Sequence, residues 1–268
     1  MKGIGIMKAY EIADRDNRRP VGVLLYYEKD KTFIVELKNG LNEWTAPLLF
    51  AGLVKRGIYT VPRDISFLWV SERVIPAGRQ NIDAILTNHH LKEYDEMKLL
   101  ELSEGKCSQD NLFIRRTDTL PDYVIKRMRK NLVDFVLLDD ADALCFFADE
   151  TVKKLDLRKI EDVGKMIGNR QLLETAKTGC GGYYVTFNDS IDIPAKILYE
   201  RGIDIPLSRN DFITFLQKNV CDTTESCKLL NCSRQNLSYM VKHEQLPVAK
   251  EDVNGNLYLK GDVLRSMW

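Results

Sequence analysis

Apolar and polar positions follow two rhythms along this chain. Val21 to Tyr27 is an apolar run, Glu28-Lys29-Asp30-Lys31 is wholly charged, and Thr32 to Leu37 resumes with β-branched and aromatic residues. Two such runs about a polar turn predict a β-hairpin. Pro47, Gly52, Gly57 and Pro62 then break the pattern, and the stretch they punctuate reads as irregular. Beyond Pro76 the spacing turns helical. Ile82, Ile85 and Leu86 share a face, and Tyr94 to Leu102 predicts another short helix. Residues 1–118 therefore read as an α+β domain that meets a partner or a signal.

Residues 119–131 read as a linker helix. Pro121 suits its start, and Lys126, Arg127, Arg129 and Lys130 crowd its end, where positive charge complements the helix dipole. A solvated helix is a better account of this cluster than a nucleic-acid patch.

Residues 132–207 return to the strand rhythm. Phe135–Leu138, Ala143–Phe147 and Val152–Leu157 predict three strands, with Asp139, Asp140, Asp142, Asp149 and Glu150 at the turns between them. Short helices are expected over Ile160–Ile167 and Gln171–Ala176. Gly179-Cys180-Gly181-Gly182 precedes a strand, Tyr183–Phe187, and lacks the spacing of a phosphate loop, so it reads as a tight turn. Asn188-Asp189 marks the next turn, and a helix starts at Pro194 and closes at Arg201-Gly202. In this order of parts, ending on Ile197-Leu198-Tyr199-Glu200-Arg201-Gly202, the block resembles a small uncharacterised bacterial α+β family. Members of that family include stand-alone proteins, some beside toxin–antitoxin genes. The resemblance implies an interaction or regulatory module and assigns no catalytic residue.

The last block, residues 208–268, carries the densest local signals. Asp211 to Leu216 shows an apolar helical face. Asp222 and Glu225 have the spacing of a capping box, opening a helix that buries Cys227 and Leu230 and ends near Leu230. Asn231-Cys232-Ser233 predicts a tight turn, with Asn231 left-handed and Ser233 capping the next helix. That helix, Arg234 to His243, places Leu237, Met240 and Val241 on one face. Gln235, Tyr239 and Lys242 point the other way, flanked by Asn236, Ser238 and His243, with Arg234 at the edge. It carries no acid, and each outward residue can bond a phosphate or a base edge. After Leu246-Pro247, Val248–Lys250 and Leu257–Lys260 are expected to pair across Asn254-Gly255.

These pieces, from Asp222 to about Ser266, resemble the excisionase and MerR-like winged-helix DNA-binding family. The matching elements are the acid-capped first helix, the Asn-Cys-Ser turn, the Ser-Arg-Gln-Asn-Leu opening of the second helix, Leu-Pro before the wing, and a closing helix introduced by Asp262-Val263-Leu264. The family usually has Gly where Asn231 stands, and this wing includes the acids Glu251 and Asp252. The resemblance implies a winged helix-turn-helix that binds double-stranded DNA. The expected contacts are Ser233, Arg234, Gln235, Asn236, Ser238, Tyr239, Lys242 and His243 on the helix, with Lys250, Asn254, Gly255 and Asn256 on the wing. One such helix reads few base pairs, so a homodimer is expected, its surface in the first two blocks.

Composition narrows the choice. A length of 268 residues suits two or three domains, and a net charge of zero argues against wholesale coating of nucleic acid without excluding a binder basic on one face. From Leu207 onward, eight Lys or Arg stand against seven Asp or Glu, a thin excess. No apolar run is long enough for a membrane span, and Met1 to Ile6 does not read as a secretion signal, so no membrane partner and a cytoplasmic location are expected. None of the six cysteines forms a Cys-x-x-Cys pair and the three histidines lack ligand spacing, so no metal or cofactor is expected and the thiols read as small buried groups. No nucleophile–His pair or phosphate loop points to an enzyme. Ser66, Glu72 and Arg73 read as a capped or ion-paired loop rather than a pocket. Arg79-Gln80-Asn81-Ile82 echoes Arg234-Gln235-Asn236-Leu237 without matching flanks, which chance explains.

The sequence thus predicts a multidomain α+β protein with a C-terminal winged helix-turn-helix. The expected function is sequence-specific transcription regulation, repressing or autoregulating a local operon. Two alternatives share the DNA-binding unit: an antitoxin-type protein that sequesters a partner encoded nearby, and an excisionase-like architectural protein.

Overall fold

The computed structural model describes residues 7–138, 141–164, 168–251, 255–259 and 263. Helices and antiparallel sheets mix throughout, so the class is α+β. The chain forms two compact units, Met1–Asp149 with Lys153–Ile203, and Glu150–Val152 with Asp204–Trp268. The sequence reading separates residues 1–118, 119–131 and 132–207, whereas nearly all of these lie in the first unit.

The first unit is organised by a four-stranded antiparallel sheet in the order β3-β2-β1-β4, comprising β1 (Met7–Asp14), β2 (Pro20–Tyr27), β3 (Thr32–Leu37) and β4 (Leu112–Thr117). The expected hairpin is β2–β3. On one face, Tyr10, Leu24, Tyr26, Phe33 and Val35 share a core with Phe50, Trp69 and Leu100. These come from α1 (Leu48–Lys55), α2 (Arg63–Ser71) and α4 (Glu96–Leu102), with α3 (Ile82–Asn88) between the last two. On the other face, Ala9, Val23, Leu25, Tyr27 and Ile34 pack with Val124 and with Cys180, Tyr183 and Tyr184. Coverage of both faces explains why β2 is apolar at almost every position instead of alternating.

The stretch expected to be irregular is helical. Pro47 and Pro62 stand just before α1 and α2 with extended ψ of 142° and 149°, so each proline starts a helix. Gly57, at φ +72°, lets α1 end, its N–H donating to Val54 O while Ile58 N–H reaches Leu53 O. Ser66 is buried, donating its hydroxyl to Val61 O and accepting from Val35 N–H. Arg73 is buried too, ion-paired with Asp110 and stacked over Trp69, so the expected ion pair is present, but Ser66 lies within α2 and Glu72 caps its end where a loop was expected.

The basic helix is not a solvated linker. In α5 (Asp122–Met128), Val124 is fully buried against the sheet. Arg127 lies 2.5 Å from the carboxylate of Glu36, a residue with no exposed surface. Thr60 donates its hydroxyl to both Glu36 oxygens at 3.1 and 3.0 Å, and Arg127 also donates to Leu37 O at 2.8 Å. Burial pushes the Glu36 carboxyl up, against the opposing pull of Arg127.

The middle block adds two small sheets. One runs β7-β6-β5, from β5 (Leu132–Leu137), β6 (Asp142–Phe147) and β7 (Val152–Asp156), close to the three expected strands. The acids Asp139 and Asp140 lie outside the described residues. The other sheet is β10-β9-β8, from β8 (Lys177–Thr178), β9 (Tyr184–Phe187) and β10 (Ile191–Pro194). Short helices α6 (Glu161–Gly164) and α7 (Arg170–Leu173) precede it, and α8 (Ala195–Arg201) follows. Gly179 to Gly182 forms the expected tight turn. A Cβ on Gly182, at φ +71°, would fall 1.9 Å from Leu132 O, so the turn docks against β5 only with glycine there.

The chain passes through β11 (Ile203–Ile205) to the second unit: α9 (Arg209–Asn219), β12 (Val220–Asp222), α10 (Thr223–Leu230), α11 (Arg234–Lys242) and β13 (Leu257–Leu259). Its core is Cys221, Leu237, Leu246, Tyr258 and Val263, with Cys227, Leu230, Cys232, Met240 and Val241 packed around it. Of the expected closing helix, only Val263 is described. Among the described residues no helix is long and apolar enough to cross a membrane.

Candidate nucleic-acid interface

Helix α10 begins where the sequence places it. Asp222 Oδ1 accepts from Glu225 N–H at 2.8 Å, and Glu225 Oε2 accepts from Asp222 N–H at 3.2 Å. This reciprocal capping satisfies two donors that a helix start leaves open. At the other end Asn231 is left-handed, at φ 50° and ψ 45°. Its N–H donates to Lys228 O, and Cys232 N–H donates to Cys227 O at 3.0 Å. The turn is therefore short and closed by two backbone bonds, and Ser233 Oγ starts α11 by accepting from Asn236 N–H at 3.2 Å.

On α11 the expected faces appear. Leu237 is buried, Met240 and Val241 are half-buried against the core, and Arg234, Gln235, Asn236, Ser238, Tyr239, Lys242 and His243 are exposed. Tyr239 is 53% exposed, large for an aromatic ring in an ordinary solvated helix. It stacks on His243, with ring centroids 3.9 Å apart and planes 30° from parallel. His243 Nδ1 donates to Tyr239 O at 2.8 Å, which assigns the ring proton to that nitrogen and leaves Nε2 outward as an acceptor when the ring is neutral. The two side chains thus form one plate on the ridge.

Two further expected contacts are engaged within the protein. Ser233 uses its hydroxyl oxygen in the cap, and Arg234 Nη2 donates to Thr224 Oγ1 at 3.1 Å, drawing the guanidinium towards the start of α10. Thr224 did not emerge from the sequence as part of this surface. The capping box that marks the start of α10 was the available signal.

Among the described residues, the expected hairpin appears as a single bridge. Lys250 and Leu257 form a bridge, with Leu257 N–H donating to Lys250 O at 2.9 Å. Beyond it, Leu257–Leu259 pairs antiparallel with Val220–Asp222, a strand that sequence reading did not identify. Pairing with β12 seats Tyr258 in the core and ties the returning chain to the start of α10. Lys250 and Gly255 are exposed and Asn256 is half-buried, while Asn254 lies outside the described residues.

No protein-family model, curated protein or solved structure matches the chain.

Proposed function

We propose that the second unit is a winged helix-turn-helix that reads double-stranded DNA, with α11 in the major groove. The protein would then be a sequence-specific transcription regulator that represses or autoregulates a local operon. The observation that carries this reading is the exposed, acid-free outer face of α11. Gln235 and Asn236 can bond adenine edges in pairs, Lys242 can reach a phosphate, and the Tyr239–His243 plate offers an apolar surface with polar rims. The anchoring of α11 by Leu237 keeps these groups in fixed relation, which base readout requires. Lys250 and Gly255 are exposed, and in this reading they meet the backbone of the duplex. Because one such helix reads few base pairs, the regulator acts as a homodimer on two half-sites.

The test is selection of bound sequences from a random duplex library by the full chain, followed by titration of the selected site. Lys242→Ala should weaken binding to all sequences and lower the salt slope by about one. Gln235→Ala and Asn236→Ala should each cost about 1–3 kcal/mol at particular base pairs and relax the preference there. Parent-like binding by all three variants removes α11 from the interface, and failure to enrich any sequence removes the function. Light scattering that gives a strict monomer on the two-half-site duplex would remove the dimer.

A further inference from the structure

The turn between α10 and α11 holds two cysteines in a relation that the DNA reading does not use. Cys227 lies in the last turn of α10, and Cys232 is the first residue after left-handed Asn231. The bonds Asn231 N–H to Lys228 O and Cys232 N–H to Cys227 O, at 3.3 and 3.0 Å, close the helix in the form that brings these two side chains into contact. In helices closed this way an apolar pair frequently fills those positions. Here both are thiols, both half-buried at the edge of the core. A disulfide needs neighbouring Cα positions, and this closure brings Cys227 and Cys232 together, with their side chains interacting directly.

The remaining cysteines differ. Cys145, Cys180 and Cys221 are buried, and burial pushes the Cys145 and Cys180 thiols up to about 12 and about 11. Cys107 is half-buried, its thiol donating to Asp110 Oδ1 at 3.7 Å.

We propose that Cys227 and Cys232 are a modification site, forming a reversible disulfide that locks the turn between α10 and α11. The oxidant is a low-molecular-weight disulfide such as oxidised glutathione. One protein thiol loses its proton to water and attacks a glutathione sulfur. That disulfide breaks, one glutathione thiolate leaves, and a mixed disulfide forms. The second protein thiol loses its proton and attacks the protein sulfur of the mixed disulfide, expelling the second glutathione thiolate. Two protein thiols are oxidised and one glutathione disulfide is reduced to two thiols. The Cys232 thiol is pushed up by burial first and by Cys227 second, so the exchange quickens as pH rises. The inference does not depend on what α11 binds.

The native full chain is equilibrated with oxidised glutathione at about pH 8, near the free thiol range, and its thiols are counted after denaturation. The expected count falls from six to four and returns to six with excess reduced glutathione. Trypsin should then yield residues 219–228 cross-linked to residues 229–234, with fragmentation placing the bridge on Cys227 and leaving Cys221 free. In Cys232→Ser, Cys227 should carry a single glutathione adduct, because the resolving thiol is gone. Six free thiols in the treated parent, glutathione adducts without a bridge, or a bridge to another cysteine would each overturn the proposal.

Discussion

Removing the Arg127 guanidinium should unfold the first unit in a pH-dependent way. Glu36 is entirely enclosed and relies on Arg127 at 2.5 Å, with the Thr60 and Tyr183 hydroxyls, to satisfy its carboxylate. Arg127→Ala leaves that charge buried with only the Thr60 and Tyr183 hydroxyls beside it, a change that typically costs about 3–5 kcal/mol. Arg127 also lies over the rings of Tyr59 and Tyr123, at 5.4 and 5.2 Å from their centroids, contacts worth about 0.5–1 kcal/mol each. The orphaned carboxylate is therefore the larger effect, and its sign with pH follows. Burial already raises the Glu36 carboxyl above its ordinary 4.5, so the folded state holds the proton more tightly than the unfolded chain. Its contribution is most favourable below the ordinary carboxylate range and is lost as pH rises through the folded value. Without Arg127 the folded value climbs further, each unit being worth about 1.4 kcal/mol. The loss on Arg127→Ala should exceed its value at about pH 5 by about 1–3 kcal/mol at about pH 8. Urea titrations in a Trp268→Phe background report the unit through Trp69, which is buried while Trp44 is exposed. Glu36→Gln added to Arg127→Ala should recover part of the loss. Equal losses at the two pH values, or no recovery in the double variant, would refute the reasoning.

Two further substitutions test the local geometry. Gly182→Ala should cost more than about 3 kcal/mol or prevent folding of the first unit, since its Cβ would meet Leu132 O and the residue is held at φ +71°; thermal denaturation of the full chain measures this. Asp222→Ala should cost about 1 kcal/mol in the second unit by removing the cap on Glu225 N–H, whereas Asp222→Asn should retain most of it; hydrogen exchange of the α10 amides separates the two variants.

What could be read from the sequence was chemistry completed within a few residues. Asp222 with Glu225, Asn231 in the left-handed region, and Ser233 under Asn236 are all satisfied locally, so residue type at a fixed spacing is enough. The apolar β2–β3 hairpin was equally open to reading. By contrast, β1 carries buried residues on both of its faces and shows no alternation, and β4 displays Arg115 and Arg116 on an exposed sheet edge. Both strands owe their state to partners far along the chain. The prolines before α1 and α2 misled because proline ends one segment and starts the next with the same fixed φ. Glu36 and Arg127 stand 91 residues apart, and nothing near either one marks the other, so a basic cluster that reads as solvated turns out to carry a core ion pair.

At the candidate interface the same division explains what was seen and what was missed. The helical period alone separates Leu237, Met240 and Val241 from the polar ridge, because a nine-residue helix has one way to bury its apolar face. How the exposed groups engage one another is not periodic. Arg234 bonds Thr224 across the turn, and Tyr239 stacks on His243 one helical turn away. Both engagements lower the number of conformations open to the ridge before any ligand arrives, which reduces the entropic cost of binding. They also change which groups act singly. Gln235, Asn236, Ser238 and Lys242 remain separate exposed donors, while Tyr239 and His243 are stacked as one plate. Under the proposed DNA reading, base discrimination on this surface would fall to Gln235 and Asn236, with the plate contributing shape.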